Sequence, residues 1–212
     1  MKLCLARHGE TDWNAAGILQ GWSDVLINDE GRRQAREMSV QLLTQRADSG
    51  CGCGFIQVWS SPLIRALETA QIIAAQWGLP APQCHDGLKE RHFGIIQGVP
   101  KSELAELNPV LLQQILKRNP ATDFEGGETM DTFAVRVLAA LEEIAGIARG
   151  VRVTAASADG CLLVISHGWV LDVLTRHIRG LPRSAMLGVK PKNGECLWLE
   201  VSHEGRIQAL GG

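Results

Sequence analysis

The sequence predicts an α/β three-layer sandwich, with a mostly parallel central sheet flanked by helices and a small helical cap insertion. Three observations carry that reading. Short apolar runs at residues 3–6, 55–59, 162–165 and 196–201 are continuous or nearly so, as expected of strands covered on both faces. Between them lie longer stretches whose apolar residues recur every three or four positions, the pattern of amphipathic helices. The two kinds alternate along the chain, which favours parallel strands joined by helical crossovers.

The first strand is cut off by Arg7, His8 and Gly9. Asn28 is a good N-cap for the first helix, which carries Ala35, Met38 and Leu42 on one face. After the second strand, Ser61 is expected to cap the next helix, with Pro62 in its first position and Gly78 closing it. Leu63, Ala66, Leu67, Ala70, Ile73, Ala74 and Trp77 form its apolar face. Residues 86–128, broken by Pro100, Pro109 and Pro120, read as a cap of short helices over one edge. A third helix starts at Thr129 and buries Phe133, Val137, Leu141, Ile144 and Ala148. A fourth runs from about 169 to 178, ended by Gly180-Leu181-Pro182, and a weaker strand falls at 207–210. Residues 47–54 and 150–160 read as loops at the far ends of helices. No linker separates two cores, so residues 1–212 are expected to form a single domain.

Composition narrows the function classes. The net charge is −2 and the 21 basic residues are scattered rather than striped. That argues against nucleic acid or an anionic membrane as the main partner. No run of 18 apolar residues offers a membrane span, and the apolar stretch near the start is too short for a secretory signal. The expected compartment is the cytoplasm. Of six cysteines, Cys4, Cys161 and Cys196 lie in or beside apolar runs and behave as small hydrophobes. Cys51 and Cys53 sit close together in a glycine-rich stretch, but a zinc site wants a second C-x₂-C pair and none exists. No metal site is expected. No long apolar stripe marks a subunit interface, so the oligomeric state stays open.

Chemistry concentrates at two echoing places. LCLARHGET and LLVISHGWV each run an apolar strand into a His-Gly pair and then toward a helix. Open α/β sheets place ligands beyond the carboxyl ends of their parallel strands. His8 and His167 are therefore expected at one edge, with Gly9 and Gly168 allowing close backbone approach to a ligand. The strand at 55–59 feeds the helix after Pro62, so Arg65 faces the same edge. A cation in a first helical turn opposes the helix dipole and calls for an anionic partner. Alone, Arg65 reads as a surface arginine paired with Glu68. Beside Arg7 it reads as half of a guanidinium clamp for a many-oxygened anion. Histidine can serve as a covalent nucleophile, and phosphoryl transfer needs chiefly positioning and charge neutralisation. Arg7, Arg65 and a protonated His167 would supply the latter. A general acid is still required, and Glu10, Glu90, Glu125 and Glu128 are candidates.

LARHGETDWN, LQGWSDVLINDEGRRQA, SSPLIRALETA, LKERHFGIIQG, GGET and VISHGWV follow one another in the order found in the histidine phosphatase superfamily. That superfamily includes cofactor-dependent phosphoglycerate mutases and many small phosphatases. The resemblance spans nearly the whole chain, and RHGET with a downstream SHG is highly specific in this arrangement. It implies that His8 is the phosphate-accepting nucleophile. Arg7 and Arg65 resemble the clamping arginines, and His167 the second phosphate-pocket histidine. Glu90 stands at the usual place of the proton donor. Asn14 resembles a side chain that holds the phosphate, while Gln20 and Gly21 match a substrate-side loop. The implied chemistry uses no metal and no cofactor, the implied partner is a small phosphorylated metabolite, and residues 86–128 would cap the active site.

The two branches differ in what accepts the phosphoryl group. Glu90-Arg91-His92-Phe93 and Lys101 resemble the mutase pattern. Against that, the chain is shorter than typical mutases and lacks their Ser-Tyr-Asp and proline-rich insertion. It runs from Lys117-Arg118, which reads as a solvated helix end, through Asn119-Pro120 into Gly126-Gly127-Glu128, as in the phosphatase branch. The sequence therefore favours metal-independent phosphomonoester hydrolysis, with phosphoglycerate mutase as the alternative. A non-catalytic binding module on the same fold is a weaker third reading.

Overall fold

In the computed structural model, residues 1–48, 54–150, 160–187 and 195–210 are described. The expected loops around Cys51, Cys53 and residues 151–159 lie outside them. The chain runs β1 (Lys2–Arg7), α1 (Asp12–Ala15), α2 (Asp29–Asp48), β2 (Phe55–Ser60), α3 (Ile64–Trp77) and β3 (Gln83–Cys84). Two 3₁₀ turns (Asp86–Leu88, Gly94–Ile96) and two short helices, α4 (Lys101–Leu107) and α5 (Pro109–Leu116), follow. Then come α6 (Met130–Gly150), β4 (Cys161–Ser166), α7 (Gly168–Ile178), β5 (Cys196–Val201) and β6 (Ile207–Ala209).

The six strands form one sheet in the order β3-β2-β4-β1-β5-β6. The first four run parallel, whereas β5 and β6 are antiparallel to their neighbours. The continuous apolar runs are explained by two cores, one on each face. Leu3 and Leu5 of β1 and Leu162 and Val164 of β4 pack with Phe133, Val137 and Leu141 of α6 and Val170 and Leu174 of α7. Cys4, Ala6, Leu163 and Ile165 point the other way, to Met38 and Leu42 of α2 and Ala66, Ala70 and Ile73 of α3. Successive strand residues face opposite sides, so a strand between two helical layers must be apolar throughout.

Most helix ends follow local chemistry. The Asn28 Oδ1 accepts the Gly31 N–H at 2.8 Å, and the Thr129 Oγ1 accepts the Thr132 N–H at 3.1 Å. Gly78 closes α3 in the left-handed conformation with φ 65°. The start of α3 differs from expectation. The helix begins at Ile64, and Leu63 precedes it without a side-chain cap. The first free N–H, that of Ile64, is taken by the Asp24 carboxylate at 2.9 Å. Ser61 is thereby released from capping.

Gly9 serves a different purpose from the expected one. A Cβ there would stand 2.5 Å from the backbone O of Gly31, and one on Gly31 would stand 2.1 Å from the backbone O of Glu10. The two glycines let the end of β1 cross the first turn of α2 at backbone contact. Gly31→Ala should cost about 1–3 kcal/mol through overpacking, read as a lower denaturant midpoint. An unchanged midpoint would refute the close approach.

Candidate active site

Parallel register brings the two histidines together. Arg7 pairs with Ser166 across β1 and β4, so His8 and His167 leave adjacent strand ends abreast. The His8 N–H bonds to the Ser166 O at 3.0 Å, and the two imidazoles meet edge to face with centroids 5.2 Å apart. On the other side of β4, β2 delivers Ser61, whose N–H bonds to the Ile165 O.

The hydrogen bonds of His8 define its protonation. Nδ1 lies 2.6 Å from the Gly9 O, an acceptor, and so carries the proton. Nε2 accepts from the Arg65 Nε–H at 3.2 Å and is therefore a lone-pair nitrogen. Desolvation, then the neighbouring Arg65 and Arg7 guanidiniums, hold the His8 pKa well below its ordinary 6.5. The neutral form is present above the folded pKa and lost only as pH falls through it. A ¹⁵N-histidine NMR titration should find His8 still neutral at pH 6.5; half-protonation there would contradict the burial argument.

Arg65 is not a surface arginine. It is 1% exposed, and its Nη1 and Nη2 donate to the carbonyls of Ser23 at 2.8 Å and Gly21 at 2.7 Å. Those bonds fold the guanidinium back over the helix start onto His8. Glu68, its expected partner, instead holds Arg32 at 2.8 Å. Gly21 makes this turn with φ +51°, and a Cβ there would collide with the Gln97 Oε1 at 2.2 Å. The same Gln97 oxygen takes the Trp22 N–H at 2.7 Å, while the Trp22 indole donates to the Glu90 O at 2.6 Å. The loop that aims Arg65 is thus tied to the segment that carries Glu90.

Among the four acids singled out from the sequence, Glu90 is the one that lines the cavity at the strand ends. Glu10 binds Asn28, Glu128 pairs with Arg136, and Glu125 is exposed. Glu90 is buried and accepts the backbone N–H of Arg91 at 3.0 Å and of Trp169 at 3.3 Å. Burial raises its pKa, and this outweighs the opposing pull of Arg118, Arg65 and Arg7. A carboxyl pushed upward in this way can hold a proton to give away.

The cavity, of about 110 Å³, is also lined by Arg7, Asn14, Gln20, Gly21 and Gly168. Asn14 Oδ1 takes the Thr11 N–H in the capping box of α1, leaving its amide N–H groups as donors. Gln20 donates to the Thr11 Oγ1 at 2.9 Å. A Cβ on Gly168 would meet the guanidiniums of Arg118 and Arg7 at 3.6–3.7 Å, ordinary contact, so the glycine lies between them. Desolvation lowers the pKa of Arg7 and of Arg65 to about 10, which leaves both cationic at neutral pH. His167 differs from expectation. It is fully buried and packed edge to face against His8, and desolvation with Arg65, His8 and Arg7 nearby keeps it neutral rather than protonated.

Two further cations reach the cavity. Lys101, at the start of α4, has its pKa lowered by burial and by Arg7. Lys117 is exposed as a helix end should be, but Arg118 is not. Its backbone turns to φ 50°, and its side chain is buried against Asp172 of α7 in an ion pair, over the Trp169 ring at 4.4 Å. No local pattern flags Arg118, because its partner lies 54 residues away. Arg7, Arg65, Lys101 and Arg118 against one carboxyl make a cavity built for an anion. Among the described residues no cluster of His, Cys, Asp or Glu has metal-binding geometry, and no helix is long and apolar enough to cross a membrane.

Comparison with known proteins agrees with this frame. A 174-residue stretch is 35% identical to a metal-independent phosphoserine phosphatase of Arabidopsis thaliana, covering 82% of this chain and 66% of that one. Over 179 residues the chain is 34% identical to phosphoglycerate mutase-like protein 4 of the same plant, covering 84% and 71%. Among solved structures, Bacillus stearothermophilus YhfR superposes with a TM-score of 0.80 at 24% identity, over 98% of this chain and 94% of that one, which shows the shared fold. The family model described as histidine phosphatase superfamily (branch 1) matches residues 3–210, and the chain belongs to that family.

Proposed function

We propose that the protein hydrolyses a small phosphomonoester through a phosphohistidine on His8. The observation that carries this reading is the unprotonated Nε2 of His8, facing an anion-seeking cavity that also holds the buried carboxyl of Glu90. Arg7 and Arg65 clamp the phosphoryl oxygens, and Asn14 and Gln20 add polar contacts from the loop side. The His8 lone pair attacks phosphorus, and the Arg65 Nε–H moves from Nε2 to a phosphoryl oxygen as the N–P bond forms. The P–O bond to the leaving group breaks while the Glu90 carboxyl gives that oxygen its proton. Water then attacks the phosphohistidine, its proton returns to Glu90, and neutral His8 and inorganic phosphate remain. Residues 86–128 act as the cap, since Glu90, Phe93, Lys101, Ile115 and Arg118 come from that segment.

Lys101 and Arg118 favour a second reading, a mutase that grips another anionic group of a phosphorylated acid and returns the phosphoryl group to it. A panel of phosphomonoesters including phosphoserine, run beside a 3- to 2-phosphoglycerate interconversion assay, separates the two. Phosphate release without interconversion is expected. Interconversion outpacing release would establish the mutase, and no turnover of any ester by folded protein would leave a binding module.

A further inference from the structure

Ser61 is fully buried, and its hydroxyl lies 2.8 Å from the Nε2 of His167. Its backbone is pinned at both ends, the N–H to the Ile165 O at 2.9 Å and the carbonyl by the Ser60 hydroxyl at 2.8 Å. The Oγ also accepts the Leu63 N–H at 3.3 Å. A serine hydroxyl has one hydrogen and two lone pairs. With Leu63 on a lone pair, the hydrogen needs an acceptor, and the structure offers it one, the His167 Nε2. The reverse assignment, with Nε2–H donating to Oγ, strands the serine hydrogen and also leaves Nδ1 as a buried acceptor with no partner. Donation from Ser61 leaves a single unpaired group, the Nδ1–H. Buried polar groups without partners are rare in folded proteins and call for an explanation.

We propose that Ser61 is a positioning residue: its hydroxyl donates to Nε2 of His167 and so holds the ring proton on Nδ1, ready to bond a phosphoryl group on the neighbouring His8. The inference rests on the phosphohistidine reading above. The two imidazoles pack edge to face with ring centroids 5.2 Å apart, and with Nε2 held by Ser61 the one nitrogen of His167 left without a partner is Nδ1. Because burial keeps His167 neutral, its tautomer, rather than a full charge, decides whether it can donate. This also gives Ser61 a task that the start of α3, capped by Asp24, does not require of it.

The test combines the tautomer and its consequence. ¹⁵N-histidine NMR of the wild-type protein should show His167 protonated on Nδ1 and bare on Nε2. In Ser61→Ala the Nδ1–H form should lose its dominance, and orthovanadate should bind about tenfold more weakly, one weakened donor to an oxyanion being worth at least that. Ser61→Thr, which keeps a hydroxyl, should restore both. A wild-type His167 carrying its proton on Nε2, or on both nitrogens, overturns the proposal, as does Ser61→Ala with unchanged tautomer and vanadate affinity. Should Ser61→Ala fail to fold, the wild-type spectrum alone decides. Failure of the phosphohistidine reading shows separately, as activity retained by His8→Ala.

Discussion

His8→Ala should lower kcat/KM for an aryl phosphate by about 10⁴-fold or more, the scale of losing a covalent nucleophile. It should also abolish the acid-labile phosphoprotein trapped by rapid quench. The fold should survive, because His8 ends β1 rather than filling either core, whose β1 residues are Leu3, Leu5, Cys4 and Ala6. Removing the ring forfeits the bonds to the Gly9 O and Arg65, a cost of about 1–2 kcal/mol. Label trapped on a different residue, or turnover within tenfold of wild type, would remove His8 from the nucleophile's role.

Glu90→Gln should divide substrates by leaving group. Alkyl phosphates, whose departing oxygen needs a proton, should slow by about 10²–10⁴-fold. Activated aryl phosphates, which leave as stable anions, should slow far less in the phosphorylation step. The amide preserves volume and can still accept from the Arg91 and Trp169 N–H groups, so the cavity keeps its shape. The pH dependence follows the sign of the shift. Burial raises the folded pKa of Glu90, so the acid form persists above the usual carboxyl range and is lost as pH rises through the raised value. Alkyl phosphate hydrolysis should show that alkaline limb in the wild type and lose it in the variant. Equal slowing of both substrate classes would assign Glu90 a purely structural part.

What could be read from the chain and what could not divides along physical lines. The strands and long helices were legible because periodicity records burial: β1 and β4 feed two cores and so are apolar throughout residues 3–6 and 161–165. The His-Gly pairs were legible because polar residues at the end of a buried strand are out of place. β3, with two residues, and α1, with four, are too short to imprint a period. Ser61 misled because a Ser-Pro pair before an apolar helix has the composition of a cap, while the cap that forms comes from Asp24 in a distant loop. Gly9 misled for a similar reason: the demand on it comes from Gly31, a contact that exists only once β1 and α2 pack.

Arg118 shows the limit most sharply. Beside Lys117 at a helix end it has the local pattern of a solvated cation, yet Asp172 and the face of Trp169 draw it inward to the cavity. The sequence by itself determined the sheet's apolar strands, the family, and the Arg7, His8, Arg65 and His167 side chains that gather at the strand ends. Only the tertiary structure decided that Glu90 is buried with its pKa raised, which nitrogen of His8 is bare, and that His167 is neutral beside it. Periodicity and motif are written by neighbours in the chain, whereas protonation state and pKa are set by desolvation and by charges that only folding brings within a few ångströms.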